Sequence, residues 1–212
     1  MTKPYSNFNI ISYCTRKTPY EQVMQEYLLK SIYKLEEKGF SLPYTVQYID
    51  SMGSWNKNTA YKAKFILDNL DSIIFDNIVC VDCDATIESY PQLFNEIPDK
   101  YDMACHMLDW ESWYCHTPGR KELLTGTILF KSNRENVKKL VEEWYNIAMK
   151  TNEWEQKVLE KLVKQYDIKI YDLPLSYCYI NSLPNGKEPN VKCDNVVVRH
   201  YQSSRTLKKL IK

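Results

Sequence analysis

Two carboxylates one residue apart, Asp82 and Asp84, close the apolar run Ile78-Val79-Cys80-Val81. Side chains alternate faces along a strand, so residues two apart point the same way. The spacing predicts that Asp82 and Asp84 leave the end of a buried strand together, with Cys83 turned away. Paired hard oxygen donors suit Mg²⁺ or Mn²⁺. The carboxyl ends of strands are also where open α/β sheets bind ligands. One aspartate after a strand means little. Two after an apolar run, followed by Ala85 rather than a turn glycine, point to a metal site.

The elements that must position this pair read as alternating strands and helices. Phe8–Cys14 reads as the first strand. Thr18-Pro19-Tyr20-Glu21 carries a helix start with proline at the first helical position. Val23, Met24, Tyr27, Leu28, Ile32 and Leu35 follow at helical spacing, and Gly39 ends that helix. Tyr44–Ile49 is a second strand, Thr59–Leu70 a helix and Ile78–Val81 the next strand. Tyr90–Phe94 reads as a short helix. Asp102–Leu108 and Thr127–Phe130 read as further strands. Ser132-x-x-Glu135 and Asn152-x-x-Glu155 each open an amphipathic helix. Ile168–Leu173 and Val196–Arg199 are late strands, and SSRTLKKLIK is a basic amphipathic end. The pattern implies one α/β domain over residues 1–212, with a mostly parallel central sheet flanked by helices. The chain also fits as the N-terminal module of a longer polypeptide.

Composition removes several functions. The 212 residues carry 28 basic and 27 acidic side chains, a net charge of +1. Non-specific nucleic-acid binding needs a basic surface, so no nucleic-acid partner is expected. No apolar run approaches the roughly 18–20 residues of a membrane span, and the first residues lack a signal-peptide pattern. The expected compartment is cytoplasmic. Seven dispersed cysteines read as reduced core thiols; Cys80-x-x-Cys83 has neither a second pair nor a histidine pair beside it. The 17 Tyr, 6 Phe and 5 Trp suit a sugar-binding cleft but equally a biased genome, and do not decide.

Absent motifs narrow the class. There is no G-x-G-x-x-G, no G-x-x-x-x-G-K-[ST] and no G-x-S-x-G. The loop after the first strand, Thr15-Arg16-Lys17-Thr18, has no glycine, which counts against a sugar nucleotidyltransferase.

A carboxylate metal site on an α/β sheet resembles the GT-A fold of nucleotide-sugar glycosyltransferases, with their D-x-D at the end of a central strand. Lys62-Ala63-Lys64-Phe65-Ile66-Leu67 resembles the K-x-x-x-L segment that precedes the motif in glycogenin-like and galactosyltransferase-like members. Asp82-Cys83-Asp84-Ala85-Thr86-Ile87 with Pro91-Gln92-Leu93-Phe94 resembles the motif and its sequel. Leu124-Thr125-Gly126-Thr127-Ile128-Leu129-Phe130 is similar to their N-(S/T)-G strand. Glu155-Gln156-x-x-Leu159 sits where they carry D-Q, and His200 where many place a third metal ligand. Over its whole length the chain resembles the N-terminal glycosyltransferase domain of a large chlorella-virus protein that builds capsid glycans.

The resemblance implies a hexosyltransferase dependent on Mn²⁺ (or Mg²⁺) that uses a UDP-sugar donor and a carbohydrate acceptor. For a viral chain, the setting would be glycoprotein glycan synthesis in the host cytoplasm. Asp84 is expected to bind the metal directly. By resemblance, Asp82 contacts the ribose or the metal through water, His200 is the third ligand, and Asp82-Cys83-Asp84 as a unit meets the donor. Tyr13 and Thr15 are placed to meet base and ribose. Arg16, Lys17, Lys62 and Lys64 are the candidate diphosphate contacts, with at most one of the two helical lysines reaching it, since they diverge by about 200°. Thr125 and Gly126 would let the sugar approach the backbone. Leu108–Tyr114 reads as a sugar-binding loop and lid. Asp109, Glu111, Glu153 and Glu155 are candidate bases should the reaction invert. Two other readings stay open: a sugar nucleotidyltransferase, and a non-catalytic carbohydrate-binding module on the same fold.

Overall fold

A computed structural model describes residues 6–71 and 74–210. Nine strands are described: β1 (Phe8–Thr15), β2 (Tyr44–Ile49), β3 (Asn77–Val81), β4 (Ala85–Ile87), β5 (Met103–Asp109), β6 (Lys121–Lys131), β7 (Ile170–Asp172), β8 (Tyr179–Ile180) and β9 (Val198–His200). The helices are α1 (Pro19–Val23), α2 (Lys30–Glu37), α3 (Trp55–Leu70), α4 (Leu93–Glu96), α5 (Trp110–Tyr114), α6 (Glu135–Thr151), α7 (Glu155–Leu162) and α8 (Ser204–Leu207). A π-helical stretch, Met24–Leu29, joins α1 to α2.

Six strands form one sheet in the order β2-β1-β3-β6-β5-β7. Only β6 runs against the others, so the sheet is mostly parallel. Alternation along the strands sorts side chains to two faces. Phe8, Ile10, Val79, Val81 and Leu129 join Met24, Leu28 and Ile32 on one face. Ile11, Ile78, Cys80, Ile128 and Phe130 face the apolar sides of α3 and α6 on the other, around the fully buried Trp144. A smaller cluster gathers Leu108, Trp113, Leu124, Cys178 and Ile180 at one end of β5 and β6. The seven cysteines are free thiols. No helix among the described residues is long and apolar enough to cross a membrane.

The remaining strands form a small sheet, β4-β9-β8. Its register pairs Ala85 with His200, and Ile180 with His200. The short strand β4 follows the Asp82-Cys83-Asp84 turn directly, so this pairing delivers His200 beside Asp84.

Several boundaries differ from the sequence reading. β6 is 11 residues long, far beyond Thr127–Phe130, because its edge-to-edge contact with β5 continues past a bulge between Cys105 and Met107. Residues expected to form a loop at 110–114 form α5, capped by Asp109. Thr18 caps α1 as expected. Asn152 does not cap α7: it sits at φ 55° as the left-handed end of α6, and α7 starts after Trp154 without a side-chain cap. Likewise Arg134, not Ser132, precedes α6. Of the basic tail, residues 211 and 212 lie outside the described residues.

Candidate active site

The two aspartates are brought together by a turn rather than by strand alternation. β3 ends at Val81, and the Ala85 N–H donates to the Asp82 carbonyl at 3.0 Å, closing a four-residue turn. The Asp82 N–H donates to the Gly126 carbonyl at 2.9 Å, tying the turn to β6. One oxygen each from Asp82 and Asp84 and one ring nitrogen of His200 lie within 4.8 Å of one another. Asp84 and His200 are buried, while the Asp82 side chain is 36% exposed toward the cleft.

The electrostatics of this cluster fit a cation. Burial, then the neighbouring Asp82, push the Asp84 carboxyl up to about 6, against a 2.6 Å bond from the Ser203 N–H to its Oδ2. Burial pulls His200 down to about 4, so its imidazole is neutral. Nε2 of His200 lies 2.8 Å from Thr127 Oγ1, while Nδ1 is buried without a hydrogen-bond partner. A neutral imidazole clustered with two carboxylates, one of its nitrogens held by Thr127 and the other unpartnered, is a donor set for a divalent cation.

Gly126 is explained by the same ring. A Cβ there would meet His200 Cε1 at 3.0 Å and Nδ1 at 3.1 Å. The imidazole therefore packs against this backbone, which also lines the cleft where the donor sugar is expected.

Beneath the turn lies a buried ionic core. Lys62 Nζ sits 2.8 Å from Asp82 Oδ1 and 3.3 Å from Glu155 Oε1, and donates to the Thr125 carbonyl at 3.1 Å. Burial would lower the Lys62 pKa, but Asp82 and Glu155 hold it well above the usual lysine range. Burial raises Glu155, whose Oε2 has no partner. The Thr125 hydroxyl donates to Glu155 Oε1 at 3.0 Å.

These residues line a cleft of about 420 Å³. It also takes in Tyr13, Thr15, Cys83, Asn58, Trp55, Trp154, Gln156, Glu122, Trp110, Tyr114 and Arg205. Similar architecture recurs in solved structures. A glycosyltransferase involved in glycosylation of the major capsid of PBCV-1 matches with TM-score 0.65 at 12% identity, over 96% of this chain and 97% of that one. The bifunctional glycosyltransferase WbbM matches with TM-score 0.62 at 10% identity, over 93% of this chain and 46% of that one. The galactosyltransferase LgtC, solved with donor and acceptor sugar analogs, matches with TM-score 0.55 at 10% identity, over 92% and 87%. The chain has the GT-A glycosyltransferase fold. No family model matches the sequence, and no curated protein matches it either.

On this GT-A frame the expected site residues separate into two groups. Tyr13, Thr15, Lys62, Asp82, Cys83, Asp84, Thr125, Gly126, Glu155 and His200 converge on the cleft. Arg16, Lys64, Asp109, Glu111 and Glu153 are not brought into it. Arg16 pairs with Asp50 at 3.3 Å and donates to the Tyr48 carbonyl, just past the end of β1. Lys64 pairs with Asp68 one helical turn along α3. Asp109 is occupied as the cap of α5, accepting from the Ser112 hydroxyl at 2.7 Å, and Glu111 lies exposed on that helix. Glu153 pairs with Lys161 at 2.6 Å. The expected aromatic loop does reach the cleft, through Trp110 and Tyr114 rather than through its carboxylates.

The sequence reading missed Glu122, Gln156 and Arg205. Glu122 is buried and holds three groups: Trp110 Nε1 at 2.7 Å, Gln156 Nε2 at 2.8 Å and Lys157 Nζ at 2.9 Å. Arg205 is the other cation of the cleft lining besides Lys62, and its guanidinium donates to Ser182. Gln156 stood beside a residue the motif had singled out; Glu122 and Arg205 carried no local signal.

Proposed function

We propose that this chain is a metal-dependent glycosyltransferase moving a hexose from a UDP-sugar to a carbohydrate acceptor. The observation that carries the reading is the His200 imidazole, one nitrogen unpartnered, clustered with Asp82 and Asp84 at the head of a cleft built on a glycosyltransferase fold. Asp84, His200 and Asp82 would hold Mn²⁺ or Mg²⁺, which when bound supplies Lewis-acid stabilisation of the charge on a leaving diphosphate.

The chain's own residues do the rest. Lys62 fixes the Asp82 carboxylate at its inner edge, leaving the exposed edge toward the cleft. Arg205, which lines the cleft, would take the diphosphate contact expected of Arg16 or Lys64, neither of which lines it. Tyr13, held by its hydroxyl on the Asn58 carbonyl at 2.9 Å, and Thr15 form the wall for base and ribose. Glu155 is the one of the four expected carboxylates that lines the cleft. Its Oε2 is buried without a partner, so its charge acts on the cleft from within the wall, through Lys62 and Asp82. The likeness to a capsid-glycan glycosyltransferase supports a role in viral glycoprotein glycans, with this chain as one catalytic module.

The test is calorimetric titration of UDP into the protein with Mn²⁺ and again with EDTA. UDP binding that requires Mn²⁺ and is lost in Asp84→Ala is the expected result. UDP binding indifferent to metal, or none, would overturn the assignment.

A further inference from the structure

The cleft does not end at the metal cluster. A second cavity, also of about 420 Å³, is lined by Trp110, Tyr114, His116, Leu183, Pro184 and Asn185, and shares Trp110, Tyr114 and Pro184 with the first. We infer that this second lobe is a subsite for a neutral pyranoside of the acceptor, which binds with an apolar ring face on the Trp110–Tyr114–His116 shelf. The inference rests on the proposed transfer reaction and names where its second substrate sits.

Three observations support it. The first is adjacency. Trp110, Tyr114 and Pro184 border both cavities, so a sugar held in the second sits beside the cleft where an acceptor hydroxyl must meet the donor. The second is the chemistry of the walls. The shelf is aromatic, with Tyr114 edge-on to Trp110 at 5.0 Å between centroids and His116 stacked on Tyr114 at 5.7 Å. None of the lining side chains is a carboxylate, and Asn185 supplies an amide for hydroxyls. Flat apolar walls with a polar edge suit a sugar ring, which has an apolar face and an equatorial girdle of hydroxyls. The third is rigidity. Trp110 is clamped by Glu122 on its indole N–H at 2.7 Å and by the Arg120 guanidinium at 3.5 Å from its ring centroid. Below it, α5 is anchored by the buried Trp113. Glu122 also holds Gln156, so one buried carboxylate sets both the shelf and a wall of the donor lobe. Preorganised aromatic surfaces lose little entropy on binding.

The roles divide accordingly. Trp110 and Tyr114 contact the acceptor; Glu122 is a positioning residue acting through Trp110. Tyr114→Ala removes part of the shelf and leaves the metal cluster intact, whereas Trp110→Phe keeps a ring but drops the bond to Glu122.

The experiment is saturation-transfer NMR on the full chain with the methyl pyranosides of glucose, galactose, mannose, xylose and fucose, run with and without UDP and Mn²⁺. UDP affinity is measured separately on each variant. At least one pyranoside should show transfer strongest on the protons of one ring face. Tyr114→Ala should weaken that pyranoside by roughly ten-fold, the scale of one lost aromatic contact, and by more than it weakens UDP, since Tyr114 also borders the donor cleft. Trp110→Phe should show a smaller loss in the same direction. No transfer to any pyranoside while UDP binds would overturn the subsite and leave the donor reading standing. A Tyr114→Ala variant that weakens UDP and sugar equally, or neither, would also overturn it. Absence of UDP binding in the wild type would sink the donor reading instead, and the sugar titration without UDP would still judge the lobe by itself.

Discussion

A methyl group built on Gly126 would reach the His200 ring at 3.0 Å, closer than carbon atoms normally approach. The ring cannot retreat freely, because it is buried and bonded to Thr127. Gly126→Ala should therefore cost roughly 1–3 kcal/mol as an overpacking change and weaken Mn²⁺-dependent UDP binding by more than the stability loss accounts for. Wild-type UDP binding in this variant would remove His200 from the metal site. Asp84 carries a different expectation. Its carboxyl is raised to about 6, so without metal its ionised form burdens the fold. The stability linked to this group is fully present below pH about 3.8, where both states are protonated, and is lost as pH rises through about 6. Asp84→Asn keeps an acceptor for the Ser203 N–H and removes the charge. In metal-free protein at pH 7 it should gain up to about 3 kcal/mol in urea unfolding while losing Mn²⁺-dependent UDP binding. In the wild type, protons should compete with Mn²⁺ as pH falls through about 6, with His200 still neutral until about 4; a metal affinity flat between pH 7 and 5 would contradict this. The aspartate pair was legible because carboxylates after an apolar run are a local signal. Arg205 was not: a basic residue in a basic tail looks like a solvated one until α8 is seen folded against the cleft.

Four elements meet at one ammonium group. Lys62 comes from α3, Asp82 from the end of β3, Thr125 from β6 and Glu155 from the start of α7. Removing one partner of a buried ionic cluster strands the others in low dielectric, which costs roughly 3–5 kcal/mol. Lys62→Met should lower the unfolding free energy measured in urea by that order, and adding Glu155→Gln should recover part of the loss, because the stranded charge goes with it. Strictly additive losses in the double variant would show that Lys62 and Glu155 are not coupled. The sequence placed Lys62 on a helix upstream of the aspartates but left open which helical lysine faces inward; the inward one proved to be locked under the site. Elements with strong periodicity, such as α3 and α6, were legible. The short strands β4 and β8 were not, since strands of two or three residues exist only through their pairing with β9. The helix starts expected at Ser132 and Asn152 were misread for a similar reason: local capping chemistry lost to the path of the chain between α6 and its neighbours.

Across the whole molecule, the cleft draws walls from both sides of the central sheet. Tyr13, Cys14 and Val81 belong to β1 and β3, Lys62 to α3, Glu155 to α7, and His200 and Arg205 to the small sheet and the helix that follows it. The fold class was legible because alternating strands and helices demand a covered, mostly parallel sheet. Neighbours at 10–12% identity share it, since burial patterns tolerate many sequences where site geometry does not. A ligand bridging such distributed walls should stabilise the molecule as one unit. With UDP and Mn²⁺ at about 100 times their dissociation constant, unfolding free energy should rise by about 2.7 kcal/mol. Hydrogen exchange should slow by a matching factor at the globally protected amides of β1, β3 and β6, not only at the cleft rim. EDTA should abolish both effects, as should Asp84→Asn. Protection confined to α5 and α8, with an unmoved unfolding transition, would mean that the ligand orders the cleft's edges without coupling the elements that build its floor.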